Sequence, residues 1–108
     1  MSEIIDYNDC ISKLRLAVEK QSFEEVQYII NNYKNIQNIN INRQDCDGGT
    51  VIMVAININS EKIIQCLCDT FQNKIDINIV NSYQFSTFMI AAWNNTNDKV
   101  MKCLCDTF

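Results

Sequence analysis

The chain has 108 residues, is 47% hydrophobic and carries a formal net charge of -4, which leaves room for one small domain built on one core. Its nine Lys and Arg residues are scattered, so it lacks the basic patch that a nucleic-acid backbone or an anionic lipid surface would need. The longest apolar run, residues 51–56, falls far short of the roughly 20 residues that span a bilayer, and the acidic start MSEIIDYND is unlike a secretory leader. The expected setting is the cytoplasm, with the nucleus left open.

Residues 1–11 lead into or begin the first helix, with Asp6 or Asp9 as its N-cap. Ile11, Leu14, Ala17 and Val18 then recur at helical spacing. Ser22 and Glu25 form a capping box for a second helix, which buries Val26, Ile29, Ile30 and Tyr33. The Asn-rich stretch at 31–42 reads as an extended loop. Asp47-Gly48-Gly49 is the only glycine pair and marks a tight turn. Thr50 caps the next helix, which packs through Ile52, Ala55 and Ile56.

A polar break at 57–60 reverses the chain, and Ile63, Ile64 and Leu67 return on the following helix. Residues 75–80 are extended, and 81–86 turn. The plan then repeats with a helix over 88–93, a break at 94–97, and Val100, Met101 and Leu104 on a last helix. The sextet CLCDTF at 66–71 recurs at 103–108, a period of 37 residues, so the chain is built of repeated helical hairpins. Each is too short to bury its apolar face alone and must stack on its neighbour.

These residues resemble the ankyrin repeat, a unit of about 33 residues with a β-turn finger and two antiparallel helices. Residues 41–45 sit at the family's VNAKD and Asp47-Gly48 at its turn. Thr50 and Ile52 sit at the Thr and Leu of its TPLH, Ala55 at its alanine, and Cys66-Leu67-Cys68 at its triple leucine. In the first unit Leu14, Ala17, Phe23, Glu24, Val26, Ile29 and Ile30 match, and in the third Ile77-Asn78 and Asn81. The third turn, Tyr83-Gln84-Phe85, lacks the glycine, which leaves the register of Thr87 and Ala91-Ala92 open by one residue. The chain has no Pro and no His, so the family's His position holds Arg15, Met53 or Ile90. The fold expected from the resemblance is an all-α, ankyrin-type solenoid of about three helix-turn-helix repeats with short β-turn fingers. It forms one domain over 1–108, with units near 12–42, 43–78 and 79–108.

The resemblance implies a protein-interaction module, an adaptor or scaffold, that grips another protein through the fingers and the exposed side of the first helices. Carried over position by position, the contact residues are Cys46, Asp47, Gly49, Asn57 and Ile58 in the second unit. In the third they are Ser82, Tyr83, Phe85, Asn94 and Asn95. Tyr83 and Phe85 stand out because aromatic rings are enriched among interface hot spots; either ring can instead fold back onto the repeat beneath it. Asp47 serves either partner contact or turn geometry. The alternative reading is a repeat portion of a larger protein, or a protein that self-associates through an uncapped C-terminal face carrying Val100, Leu104 and Trp93.

The residues point away from chemistry. Cys66 and Cys68 project to different sides of a helix and cannot close on one ion, so the Cys-x-Cys pairs read as core packing rather than as metal, redox or disulfide sites. Asp45-x-Asp47-Gly48 echoes a calcium loop, but Arg43 and Val54 stand where acidic ligands belong. No catalytic set and no cofactor site emerge, and no enzyme activity is expected.

Overall fold

The computed structural model describes residues 7–32, 38–71, 74–94, 100–102 and 104. Among these there is no strand, and five helices follow in order: α1 (Tyr7–Glu19), α2 (Phe23–Asn32), α3 (Val51–Ile58), α4 (Glu61–Phe71) and α5 (Thr87–Trp93). Residues 100–102 and 104 are again helical.

Local chemistry sets the helix ends. Helix α1 starts at Tyr7, so Asp9 lies inside it and is no cap, while Asp6 falls outside the described residues. Gln21 takes the left-handed region, φ 59°, and the amides of Gln21 and Ser22 close the end of α1 by donating to Val18 O and Ala17 O. The Ser22 hydroxyl then accepts from the Glu25 amide at 3.3 Å, as the capping box predicts. Thr50 caps α3 by accepting from the Met53 amide at 3.4 Å. Asn59, φ 58°, ends that helix by donating to Ala55 O and Ile56 O.

The helices pair as hairpins, α1 with α2 and α3 with α4, and the hairpins stack so that α1 meets α3, α3 meets α5, and α2 meets α4. One continuous apolar seam runs through the stack. Leu14 and Val18 of α1, Val26 of α2, Ile52 and Ile56 of α3, and Ile64 and Leu67 of α4 all lie in it. Ala91, Val100 and Leu104 extend it into the third unit. Val100 and Leu104 are therefore buried, not open on an end face, and of the three residues expected there only Trp93 is exposed. The loops also contribute to the seam: Ile39 and Ile41 of the Asn-rich stretch and Ile75 after α4 are buried in it. An isoleucine at alternate positions lets a short irregular segment anchor itself while its asparagines stay wet.

Equivalent residues fix the register. Leu14, Ala17, Val26 and Ile29 are matched 38 residues on by Ile52, Ala55, Ile64 and Leu67, all buried. From the second unit to the third the interval is 36 residues through the finger and first helix. Asp45, Gly48, Thr50 and Ala55 are answered by Asn81, Gln84, Ser86 and Ala91. The interval of 37 applies only to the last helix, where Val100 and Leu104 answer Ile63 and Leu67. The additional residue falls between α5 and residue 100. The cap of α5 is thus Ser86, accepting from the Met89 amide at 3.3 Å, and Thr87 takes the place of Val51.

Candidate protein-interaction surface

The two fingers are built alike by different residues. Asp45 Oδ1 accepts from the amides of Asp47 and Gly49, at 2.8 and 2.9 Å. Asn81 Oδ1 accepts from the amides of Tyr83 and Phe85, at 2.9 and 3.0 Å. A short side-chain oxygen in that position closes the turn on itself. The fourth residue is left-handed in both, Gly48 at φ 77° and Gln84 at φ 67°. At Gly48 a neighbour lies close: a Cβ there would stand 2.8 Å from Ser82 N. The second finger abuts the third at that point, where Ser82 donates both its amide and its hydroxyl to Asp47 O, at 2.8 and 2.7 Å.

Further bonds tie finger to finger. Gln44 Nε2 donates to Val80 O at 2.9 Å. Asn42 donates from Nδ2 to Lys74 O at 2.7 Å and accepts from the Asp76 amide at 2.8 Å. Arg15, which stands at the His position of the first unit, reaches the second finger, donating to Asp45 Oδ2 and Arg43 O, each at 3.1 Å. In this chain the link between finger and helix is therefore an arginine crossing between units.

These fingers and the first helices enclose a groove of about 390 Å³. Five of the residues expected at the contact surface line it: Asp47, Gly49, Asn57, Phe85 and Asn94. Val54, Ile90 and Trp93 complete much of its apolar wall. The Asn94 amide donates to Asn57 Oδ1 at 3.0 Å, bridging α3 to the end of α5. The other expected residues lie elsewhere. Cys46 and Tyr83 are exposed on finger tips, Ser82 is engaged with Asp47, Ile58 is half buried at the end of α3, and Asn95 lies outside the described residues.

Phe85 stacks on Trp93 of α5 in its own unit, with ring centroids 6.4 Å apart and planes 23° from parallel, and stays 44% exposed. Trp93 remains 81% exposed and Met89 54% exposed. Reading the third unit at a period of 37 puts Asn94 opposite Asn57, whereas the 36-residue register puts Trp93 there. The sequence did hold that signal: aligning Asn81 on Asp45, both short side chains with an oxygen for the turn, gives the shorter interval.

Of the cysteines described, Cys10 and Cys68 are buried, Cys66 is half buried and Cys46 is exposed, and none forms a disulfide. No described helix is long and apolar enough to cross a membrane.

A stack of helical hairpins with hydrogen-bonded fingers and a groove along its first helices defines the class: a repeat solenoid. The profile of ankyrin repeats (3 copies) matches residues 14–107, and the chain belongs to that family. Ankyrin repeats are generally protein–protein interaction modules. Among curated proteins no sequence matches significantly. Among solved structures, the chain is similar to one in the complex of the Bd0816 predatory endopeptidase from Bdellovibrio bacteriovorus with immunity protein Bd3460, at 22% identity and a TM-score of 0.68. That likeness is one of fold, and it covers 86% of this chain and 45% of the other. The chain thus spans less than half the length of that neighbour.

Proposed function

We propose that the chain is an adaptor or scaffold module that binds another protein through the groove between its fingers and first helices. One observation carries this reading. Residues from two fingers and two helices, far apart in sequence, line one groove that ends in a stacked, exposed pair of aromatic rings. Burying such rings on a partner releases ordered water and anchors an interface at its centre. The solved neighbour comes from a protein–protein complex, which is in keeping with this reading. Unit boundaries near 12–42, 43–78 and 79–108 go with it, and so does a cytoplasmic setting.

The test is affinity capture with mass spectrometry, comparing the intact chain with an Asn57→Ala, Phe85→Ala, Trp93→Ala variant of equal helicity. Loss of the captured partner from the variant supports the surface; equal recovery removes it.

A second reading rests on α5. Met89 and Ala92 are exposed, while the equivalent Met53 and Ile56 are buried in α3, the helix that meets α5. A further unit, or a second copy of the chain, would cover them in the same way. A concentration-independent monomer by light scattering counts against the second copy.

A further inference from the structure

Two hollows adjoin across the Phe85–Trp93 ring pair. One, of about 400 Å³, is walled by Phe85, Met89, Ala92 and Trp93, with no charged side chain. The other is the groove already described, and on its wall Asp47 is the one charged residue. The carboxylate of Asp45 is held by Arg15, whereas that of Asp47 makes no ion pair or side-chain hydrogen bond among the described residues. Any charge that enters this groove therefore meets a free anion on a chain whose net charge is -4, and only a cation gains by it.

The groove that Asp47 lines also carries the Asn57–Asn94 amide pair, joined by a single bond of 3.0 Å. Whichever way round the amides lie, the pair keeps three N–H and one C=O uncommitted. A donor and an acceptor side by side suit the main chain of an extended segment, which presents both, and not a helix, whose main chain is satisfied internally. The exposed face of Trp93 gives a passing ammonium or guanidinium a further attraction.

Resting on the concave-surface reading above, we propose that this groove takes an extended peptide segment of a partner protein in which a bulky apolar side chain stands close to a lysine or arginine. The apolar side chain enters the Met89–Ala92 hollow against the rings. The main chain runs over Asn57 and Asn94, and the cationic side chain pairs with Asp47. Acidic segments and nucleic acids are excluded by the same carboxylate.

A random linear peptide library displayed on phage, selected on the full chain, tests this directly. The expected outcome is enrichment of peptides that carry Lys or Arg near an aromatic residue, Leu, Ile or Met. A synthetic peptide of the enriched sequence should lose roughly 30-fold in affinity or more on Trp93→Ala. It should lose about tenfold on Asp47→Asn at low salt, an effect that fades as salt rises. Enriched peptides that lack a basic residue and ignore Asp47→Asn, yet fail on Trp93→Ala, overturn the proposal and leave the concave surface standing. Peptides indifferent to both variants overturn both. No enrichment on a bait shown folded by circular dichroism overturns the proposal, and so does a wild-type dimer that Trp93→Ala makes monomeric, since the occupant is then a second copy.

Discussion

Thr87 is fully buried, and its hydroxyl has no hydrogen-bond partner among the described residues. The equivalent residue one unit earlier is Val51, also fully buried. A buried hydroxyl that loses its water without gaining a partner costs about 1–3 kcal/mol. Thr87→Val keeps the shape and removes the cost, so it should stabilise the chain by about 1 kcal/mol, read as a higher melting temperature in circular dichroism. A lower melting temperature would mean that the hydroxyl is bonded after all. The cysteines give a second measurement at this scale. Burial pushes the Cys66 thiol above its ordinary range and Asp69 adds to the shift, against a hydrogen bond with Thr70. A raised value means that the folded chain favours the neutral thiol. That contribution to stability is fully present below the unfolded pKa and is lost as pH rises through the higher, folded one. In peptide-resolved alkylation near pH 8, Cys46 should therefore react first and Cys66 later, with Cys66 catching up in more alkaline buffer. Cys10 and Cys68 should react only on unfolding. Equal rates for Cys46 and Cys66 would contradict the placement of α4.

At the scale of the element, the fingers show why part of this fold was legible and part was not. The helices were readable because buried residues recur at helical spacing and Ser22 and Thr50 cap where capping residues should. The third finger was not, since its left-handed residue is Gln84, and identity alone does not announce that conformation in a side-chain-bearing residue. That left the register open by one residue; counting at 37 put Asn94 and Asn95 forward, of which Asn94 does line the groove, and passed over Trp93, which lines it too. The same comparison yields a paired prediction. Gly48 is confined both by φ 77° and by Ser82 N at 2.8 Å from a Cβ, so Gly48→Ala should destabilise by about 1–3 kcal/mol. Gln84 carries only the conformational cost, and Gln84→Gly should be neutral or stabilising by up to about 1 kcal/mol. Urea titrations that rank the two the other way would show the fingers to be packed differently. Asn42, bonded to both Lys74 O and the Asp76 amide, is one polar bridge between successive loops. Asn42→Ala should cost about 1–2 kcal/mol in the same titration.

For the whole molecule, a single apolar seam through three units predicts shared stability. Adjacent units in such arrays contribute their own free energies and those of their interfaces, and this chain has only neighbours to rely on. Leu67 is fully buried in the middle of the stack. Leu67→Ala should lower stability by about 2–5 kcal/mol and shift the unfolding of all units together, with coincident transitions by circular dichroism and by Trp93 fluorescence. The recognition surface follows from the same arrangement: the seam uses one side of each helix, and the fingers and first helices are left to face outward along a groove. The period of the cysteine sextet announced the array, but the groove depends on how neighbouring units are phased, which the sextet alone set one residue too long.

The most direct test of the account is backbone amide exchange of the chain with and without its captured partner. Added protection is expected around Asp47, Asn57, Phe85, Trp93 and Asn94, which line the groove. Protection confined instead to the outer helices α2 and α4 would contradict it.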